Sequence, residues 1–230
     1  ACASFSQVIP GWQNLDLDSS PTWATWPVPG LGEPLAWMVF PPGQLNPPQT
    51  GLEAHSGAVM AAAFCVQTPP NNDWLISPRV QLGSAPGLNF WARSHTADYG
   101  LERLRVLIST TGADPAGFTT LNAGNWLAVP ADWTAYNYDL GAWQGQSVHL
   151  AFNCVSWDAL ALYLDDVVIT GEGGYVAVDE EIASPDEFQV FPNPSRGGFR
   201  VESAGKTPFS LSLYDLRGRE LFSTRNVSGF

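Results

Sequence analysis

Three short stretches concentrate hard oxygen donors: Asp16-Leu-Asp18-Ser-Ser20, Asn71-Asn-Asp73 and Asp165-Asp166. Carboxylates and hydroxyls in turn-like segments are the donors that Ca²⁺ takes. Asp16 and Asp18 are not followed by the glycine and distal glutamate of an EF-hand loop, so a helix–loop–helix site is excluded. Asp165 and Asp166 end an apolar run, and neighbours on a strand face opposite ways, so one of the two would enter any given site. The ordinary alternative is that all five are turn-forming and strand-end acids, and composition alone favours it. The stretches hold no imidazole or thiolate, so zinc is not expected to substitute for calcium.

Hydrolytic chemistry finds less support. The histidines are His55, His95 and His149, and no Gly-x-Ser-x-Gly elbow occurs. Alternation puts His149 on the strand face opposite Phe152 and Cys154, as a surface or inter-sheet residue. His149 and Cys154 would stand about 17 Å apart along one strand, which excludes a thiol–imidazole pair. Residues 1–171 hold 13 acids, so some pair of carboxylates is inevitable and signals no glycosidase. No convergent His–acid or Ser–His set is visible, and no catalytic residue is assigned.

The ten Trp all lie between Trp12 and Trp157. Aromatic rings stack on the apolar faces of sugars, but most Trp in a β-rich domain fill cores and cover sheet edges. At least seven are expected in that role. An exposed pair would form a binding platform, and its members are not distinguishable from the sequence.

Charge and composition bound the partners. With 10 Lys and Arg against 22 Asp and Glu, the 230-residue chain carries a net charge of −12. Such a surface repels phosphate backbones, which disfavours nucleic acid. Lys206 is the sole lysine. The three cysteines, Cys2, Cys65 and Cys154, are too few and too scattered for a disulfide scaffold, leaving one bridge plus a thiol, or three thiols. Cys154 is expected to be buried and Cys2 accessible unless bridged. No run of 18 apolar residues spans a membrane. The first residues lack the basic and apolar regions of a signal peptide, so a removed signal or a fragment is expected.

The elements that must position these groups read as strands. Leu104, Val106 and Ile108 share one face of residues 101–109, and Val148, Leu150, Phe152 and Cys154 share one face of residues 148–154. Apolar runs at 87–93 and 160–169 complete a pattern punctuated by Gly, Pro and Asn, as in an antiparallel sandwich. No segment sustains a helical period, so less than about a tenth of residues 1–171 should be helical. Net charge is −9 over residues 1–171, −6 over 172–187 and +3 over 188–230. The chain therefore divides into a domain at 1–171, an exposed acidic linker at 172–187 and a second β unit at 188–230. In the last, Phe209, Leu211 and Leu213 alternate with polar partners, and Arg217-Gly218-Arg219 reads as a hairpin turn.

Gly11-Trp12-Gln-Asn-Leu-Asp16-Leu-Asp18, Asn71-Asn-Asp73-Trp74-Leu-Ile-Ser77-Pro78, Ile108-Ser-Thr-Thr111, Leu150-Ala-Phe152 and Tyr163-Leu-Asp165-Asp166-Val-Val-Ile169 occur in order. The set resembles the cleaved-adhesin, or choice-of-anchor J, domains of Bacteroidetes surface proteins, which are MAM-like jelly rolls. Phe191-Pro192-Asn193-Pro194, Gly197-Gly-Phe199 and Leu213-Tyr214-Asp215-Leu-Arg-Gly218-Arg-Glu220-Leu resemble the C-terminal sorting domain of the type IX secretion system. That domain is Ig-like, and its pattern stops short at Phe230.

The resemblances imply an all-β chain, a jelly-roll sandwich followed by a partial Ig-like sandwich. They imply a non-catalytic adhesin, secreted or on the outer-membrane surface, with a protein or glycan ligand and the type IX machinery as partners. The alternative is an accessory or spacer domain of a larger secreted hydrolase, a protease or glycosidase. They also imply structural calcium, held by Asp16, Asp18, Asp73 and one of Asp165 or Asp166. Convergence of these acids would follow if the first and last strands lay side by side. The acid that often follows the family's first aromatic is replaced here by Ser6, after Phe5.

Overall fold

Alternating apolar residues make the strands of the described residues, and frequent Gly and Pro end them. The structure, a computed structural model, describes residues 5–7, 9, 11–66, 68–172, 175–176, 188–191, 200–203, 209–214 and 220–227. The chain separates into two compact units, Ala1–Val178 and Asp179–Phe230.

The first unit opens with β1 (Gln13–Asp16), β2 (Trp37–Phe40), β3 (Met60–Phe64), β4 (Asp73–Ile76) and β5 (Val80–Gln81). Two long strands follow, β6 (Ser84–Ser94) and β7 (Glu102–Ser109), then the short β8 (Thr119–Thr120) and β9 (Leu127–Val129). It closes with β10 (Thr134–Asp139), β11 (Ser147–Cys154), β12 (Ala161–Glu172) and β13 (Tyr175–Val176). One antiparallel sheet has the order β10-β6-β12-β3-β2; the other runs β1-β4-β11-β5-β13, with β7 on β11 and with β8 and β9 on β7. Helix among the described residues is confined to three single 3₁₀ turns, at Pro42–Gln44, Pro115–Gly117 and Gly141–Trp143.

The core lies between the sheets. Leu104, Val106 and Ile108 from β7 meet Val148, Leu150, Phe152 and Cys154 from β11, and Leu88, Phe90 and Ala92 from β6 close the cluster. Phe90 and Phe152 meet edge to face at 5.0 Å. A second cluster packs Met38, Phe40, Phe64 and Tyr163 on the outer side of the five-stranded sheet, under the irregular 22–54 region. Seven of the ten Trp are buried or half-buried, as core-filling rings should be, and Trp23, Trp126 and Trp157 are exposed.

Strand pairing continues past Gly171. Glu172 still belongs to β12, and the apolar pair Tyr175–Val176 adds to β5, so the acidic 172–187 segment begins inside a sheet. Residues 177–187 and Cys2 lie outside the described residues. In the second unit, β14 (Phe188–Phe191) pairs with β15 (Arg200–Ser203), and β16 (Phe209–Tyr214) with β17 (Glu220–Val227), all antiparallel. The expected turn at 217–219 is not among the described residues.

A buried polar centre sits where the sheets diverge. Glu102 is 1% exposed. Its Oε1 accepts from the Leu160 amide, and Cys65 Sγ donates to Oε2. Cys65 and Cys154 are both free and buried. Burial pushes the Glu102 carboxyl above 4.5 against the hydrogen bonds from Cys65, Ser156, Leu160 and Ala161. Because the folded pKa is raised, the stability that Glu102 contributes is complete below pH 4.5 and lost as pH rises through the elevated value. Glu102→Gln cannot ionise. Urea unfolding should show a shallower loss of stability as pH rises above about 5 in this variant than in the parent, and parallel pH profiles would contradict the assignment.

Candidate functional site

Pairing of β1 with β4 sets Asp16 directly opposite Asp73. The chain then turns through Asp18 and Ser19, and Asp16 Oδ1 accepts from the amides of Asp18 and Ser19. Asp18 Oδ2 accepts from the Asn72 amide at 2.7 Å, which ties the turn to the start of β4. One carboxylate oxygen each from Asp16, Asp18 and Asp73 lies within 4.8 Å of the other two.

Asp73 is 1% exposed. Asn71 donates to its Oδ2, and its Oδ1 is buried without a hydrogen-bond partner. Burial first, then the charges of Asp18 and Asp16, push its carboxyl up to about 8, although the Asn71 bond works the other way. A buried carboxylate with an orphan oxygen and two acidic neighbours is stable only with a proton or a cation. The donors are all oxygen, which fits a hard divalent ion and not zinc.

Asp165 and Asp166 are not part of this group. β1 and β12 lie in different sheets, so the expected side-by-side packing of first and last strands does not occur. The expectation that the two carboxylates face opposite ways also fails. A register shift follows Asp165, and Asp166 takes φ +48°, which swings it to the same side as its neighbour. Together they grip one turn. Asp165 Oδ2 accepts from the amides of His55 and Ser56 at 2.9 and 3.2 Å. Asp166 Oδ1 accepts from Ser56 Oγ at 2.5 Å, and its Oδ2 lies 2.6 Å from His55 Nδ1. These bonds, Ser56 foremost, hold the Asp166 carboxyl below its ordinary 3.8.

This convergence of His, acid and Ser was not visible in the sequence, because 109 to 111 residues separate its halves. It is not a nucleophile relay. The Ser56 hydroxyl donates to Asp166 rather than to the imidazole, and His55 is stacked on Trp91 at 3.9 Å. His95 meets the Tyr163 hydroxyl. His149 is buried, not at the surface, with Nδ1 2.8 Å from the Ser77 carbonyl oxygen.

A cleft of about 660 Å³ is lined by Trp23, Thr25, Tyr99, Asp158, Ala159 and Leu160. Trp23 is 39% exposed and Tyr99 67%, and Trp157, adjoining Asp158 in the chain, is 53% exposed. Its base is rigid: the Trp23 amide donates to the Cys65 carbonyl, the Cys65 amide to that of Leu160, and the Leu160 amide to Glu102. Asp158 stands at φ +50°. Tyr99 and Asp158 lie in loops with no periodic pattern, so nothing in the sequence marked them. Trp23 was one ring among ten. What this arrangement can do chemically is bind, by ring faces with a carboxylate at the rim.

No protein-family model matches the chain. In an alignment 263 positions long it is 27% identical to Hemagglutinin A of Porphyromonas gingivalis, covering 97% of this chain and 9% of that protein. Over 187 residues it is 27% identical to Lys-gingipain W83 of the same organism, covering 72% of this chain and 10% of that protein. The chain thus spans about a tenth of the length of these relatives. Among solved structures, the K3 cleaved adhesin domain of Lys-gingipain superposes with a TM-score of 0.51 at 24% identity, over 71% of this chain and 91% of that domain. The K1 cleaved adhesin domain gives 0.52 at 20% identity, over 72% and 94%. These domains share the two-sheet fold.

The grip of β12 on the 55–56 turn is testable. Asp165→Ala removes the acceptor for two amides, so hydrogen exchange at His55 and Ser56 should accelerate at least about tenfold while the Trp37 amide, elsewhere in the sheet, is unchanged. Unaltered exchange at His55 and Ser56 would contradict the role given to Asp165.

Proposed function

We infer that this chain is a non-catalytic binding module of the adhesin type, exported and displayed at or released from the cell surface. Its ligand is a surface protein or glycan that enters the Trp23–Tyr99 cleft. One observation carries this reading: the Trp23–Tyr99 cleft offers exposed ring faces and a rim carboxylate on a hydrogen-bonded base, with no nucleophile paired to a base among its lining residues. The likeness to Hemagglutinin A and to Lys-gingipain adhesin domains supports the same class. Among the described residues no helix is long and apolar enough to cross a membrane. In this reading the stretch after β13 links the module to a type IX sorting domain at 188–230, whose partner is the secretion machinery. An accessory domain of a larger secreted hydrolase is the second reading, favoured by the small share of Lys-gingipain W83 that the chain covers.

Trp23→Ala and Tyr99→Ala should each weaken binding of the labelled protein to host cells or immobilised glycans about tenfold or more, because exposed aromatics dominate such contacts. Full retention of binding in the double variant would remove the cleft from the function.

Calcium has a structural part in the proposal. Asp16, Asp18 and Asp73 would hold the ion and fix the Asp16–Ser20 turn against β4. At a hundredfold excess over Kd, Ca²⁺ should stabilise the folded state by about 2.7 kcal/mol, a rise in Tm of about 5–10 °C. EDTA should reverse the rise and Zn²⁺ should not reproduce it. Asp16→Ala with Asp18→Ala should abolish the calcium effect in a still folded, less stable protein. Identical melting with calcium and with chelator would leave the three acids without an ion.

A further inference from the structure

The first 171 residues hold four Arg against 13 acids, yet two of the four stand together on the outer face of β7. Arg103 and Arg105 occupy alternate positions, opposite in facing to the buried Leu104 and Val106. In so acidic a domain each guanidinium would be expected to find a carboxylate. Among the described residues neither does, and the ion pair present is that of His55 with Asp166.

Both instead line a cavity of about 320 Å³ with Asn71, Asn72, Trp126 and Val155. The Arg103 guanidinium stands over the Trp126 ring, its carbon 4.8 Å from the centroid. The attraction of the charge to the ring face holds the group there, and its N–H groups can still donate to a ligand. Arg105 Nε donates to the Asn125 carbonyl at 2.9 Å, which anchors the stem of the second fork. Trp126 remains 40% exposed.

Asn72 adds donors. Its Oδ1 accepts from Trp74 Nε1 and from Asn153 Nδ2, at 2.8 and 3.2 Å, so its orientation is set and its own NH₂ has no acceptor among the described residues. Asn153, 0% exposed and directly across the ladder from Arg105, keeps a buried Oδ1 without a partner. The cavity thus presents two guanidinium groups, one of them anchored through Nε, with an amide donor and an indole surface.

We propose that this pocket is a second binding site, specific for a carboxylated sugar: the uronate carboxylate lies on the Arg103 and Arg105 forks, a ring hydroxyl accepts from Asn72, and the pyranose rests against Trp126. A carboxylate matches the guanidinium fork in geometry and charge. The indole beside it distinguishes a sugar acid from a bare anion, which has no apolar face to offer. The net negative domain repels polyanions elsewhere, so selectivity arises at this one cationic spot. The site differs from the Trp23–Tyr99 cleft in residues and in charge, and stands whether or not that cleft binds.

Titration of the full chain with hexa-galacturonate and with the neutral galactose hexamer, by calorimetry, tests it. The uronate should bind at least about tenfold more tightly than the neutral sugar, and should weaken as NaCl rises. Arg103→Gln and Arg105→Gln should each weaken uronate binding about tenfold, and Trp126→Ala should do so without changing the salt dependence. Arg79→Gln removes the same charge at an exposed position outside the pocket and should leave binding intact, which separates a site from general attraction. Melting curves of the variants confirm that each is folded. Four results would each overturn the assignment: equal affinity for charged and neutral sugars, an equal loss on Arg79→Gln, inorganic phosphate or a phosphopeptide bound as tightly as the uronate, or no uronate binding at millimolar concentration.

Discussion

Trp37 is the residue on which the sandwich closes. Its side chain is fully buried, and its indole N–H donates to the Asp73 carbonyl at 3.1 Å. Its backbone is held by the Asn14 carboxamide, which donates to the Trp37 carbonyl at 2.6 Å and accepts from its amide at 2.9 Å. Trp37 belongs to the five-stranded sheet, while Asn14 and Asp73 belong to the other. Two side chains, Trp37 and Asn14, therefore join β1, β2 and β4 across the layers, and the joint fixes where β4 begins. The Asp16–Asp73 register and the Asn71–Asn72 turn follow from that start. Removing these bonds would leave buried polar groups unpaired at the joint, which costs more than the bonds themselves contribute.

The alternation of Leu104, Val106 and Ile108, and of Val148 to Cys154, was legible in the sequence because a strand with one buried face must repeat every second residue. Both runs lie in the core as read. Asp16, Asp18 and Asp73 were legible as donor types, but their meeting depends on pairing between strands 57 positions apart at Asp16 and Asp73. Asp165 and Asp166 misled for a local reason. Strict alternation assumes an unbroken ladder, and a single positive φ at Asp166 reverses which way the second carboxylate points. The pattern carries no mark of such a bulge. Neither the grouping of Tyr99 with Asp158 nor that of Arg103 with Trp126 was legible, because exposed loop and outer-face positions obey no burial constraint that would pattern them.

The buried polar centre and the aromatic cleft are mechanically one structure. Glu102 holds the Leu160 amide, Leu160 and Trp23 both bond the Cys65 backbone, and all of these lie beneath or along the cleft. Placing a carboxyl in an apolar interior is costly. Here it supplies an acceptor to a loop that has no strand partner of its own, and the ring faces above gain a fixed spacing. Rigid rings lose little entropy on contact, which would favour a binding role for such a surface.

The closure at Trp37 also bears on how copies of the domain tolerate one another. β2 is an outermost strand, and a bare outermost strand is a template for a foreign chain. Here its outward-facing groups are already engaged: Asn14 takes those of Trp37, and Ser6 exchanges backbone bonds with Val39. Crowded copies of this domain are therefore denied strand-to-strand fusion along that flank, and meet there only through side chains.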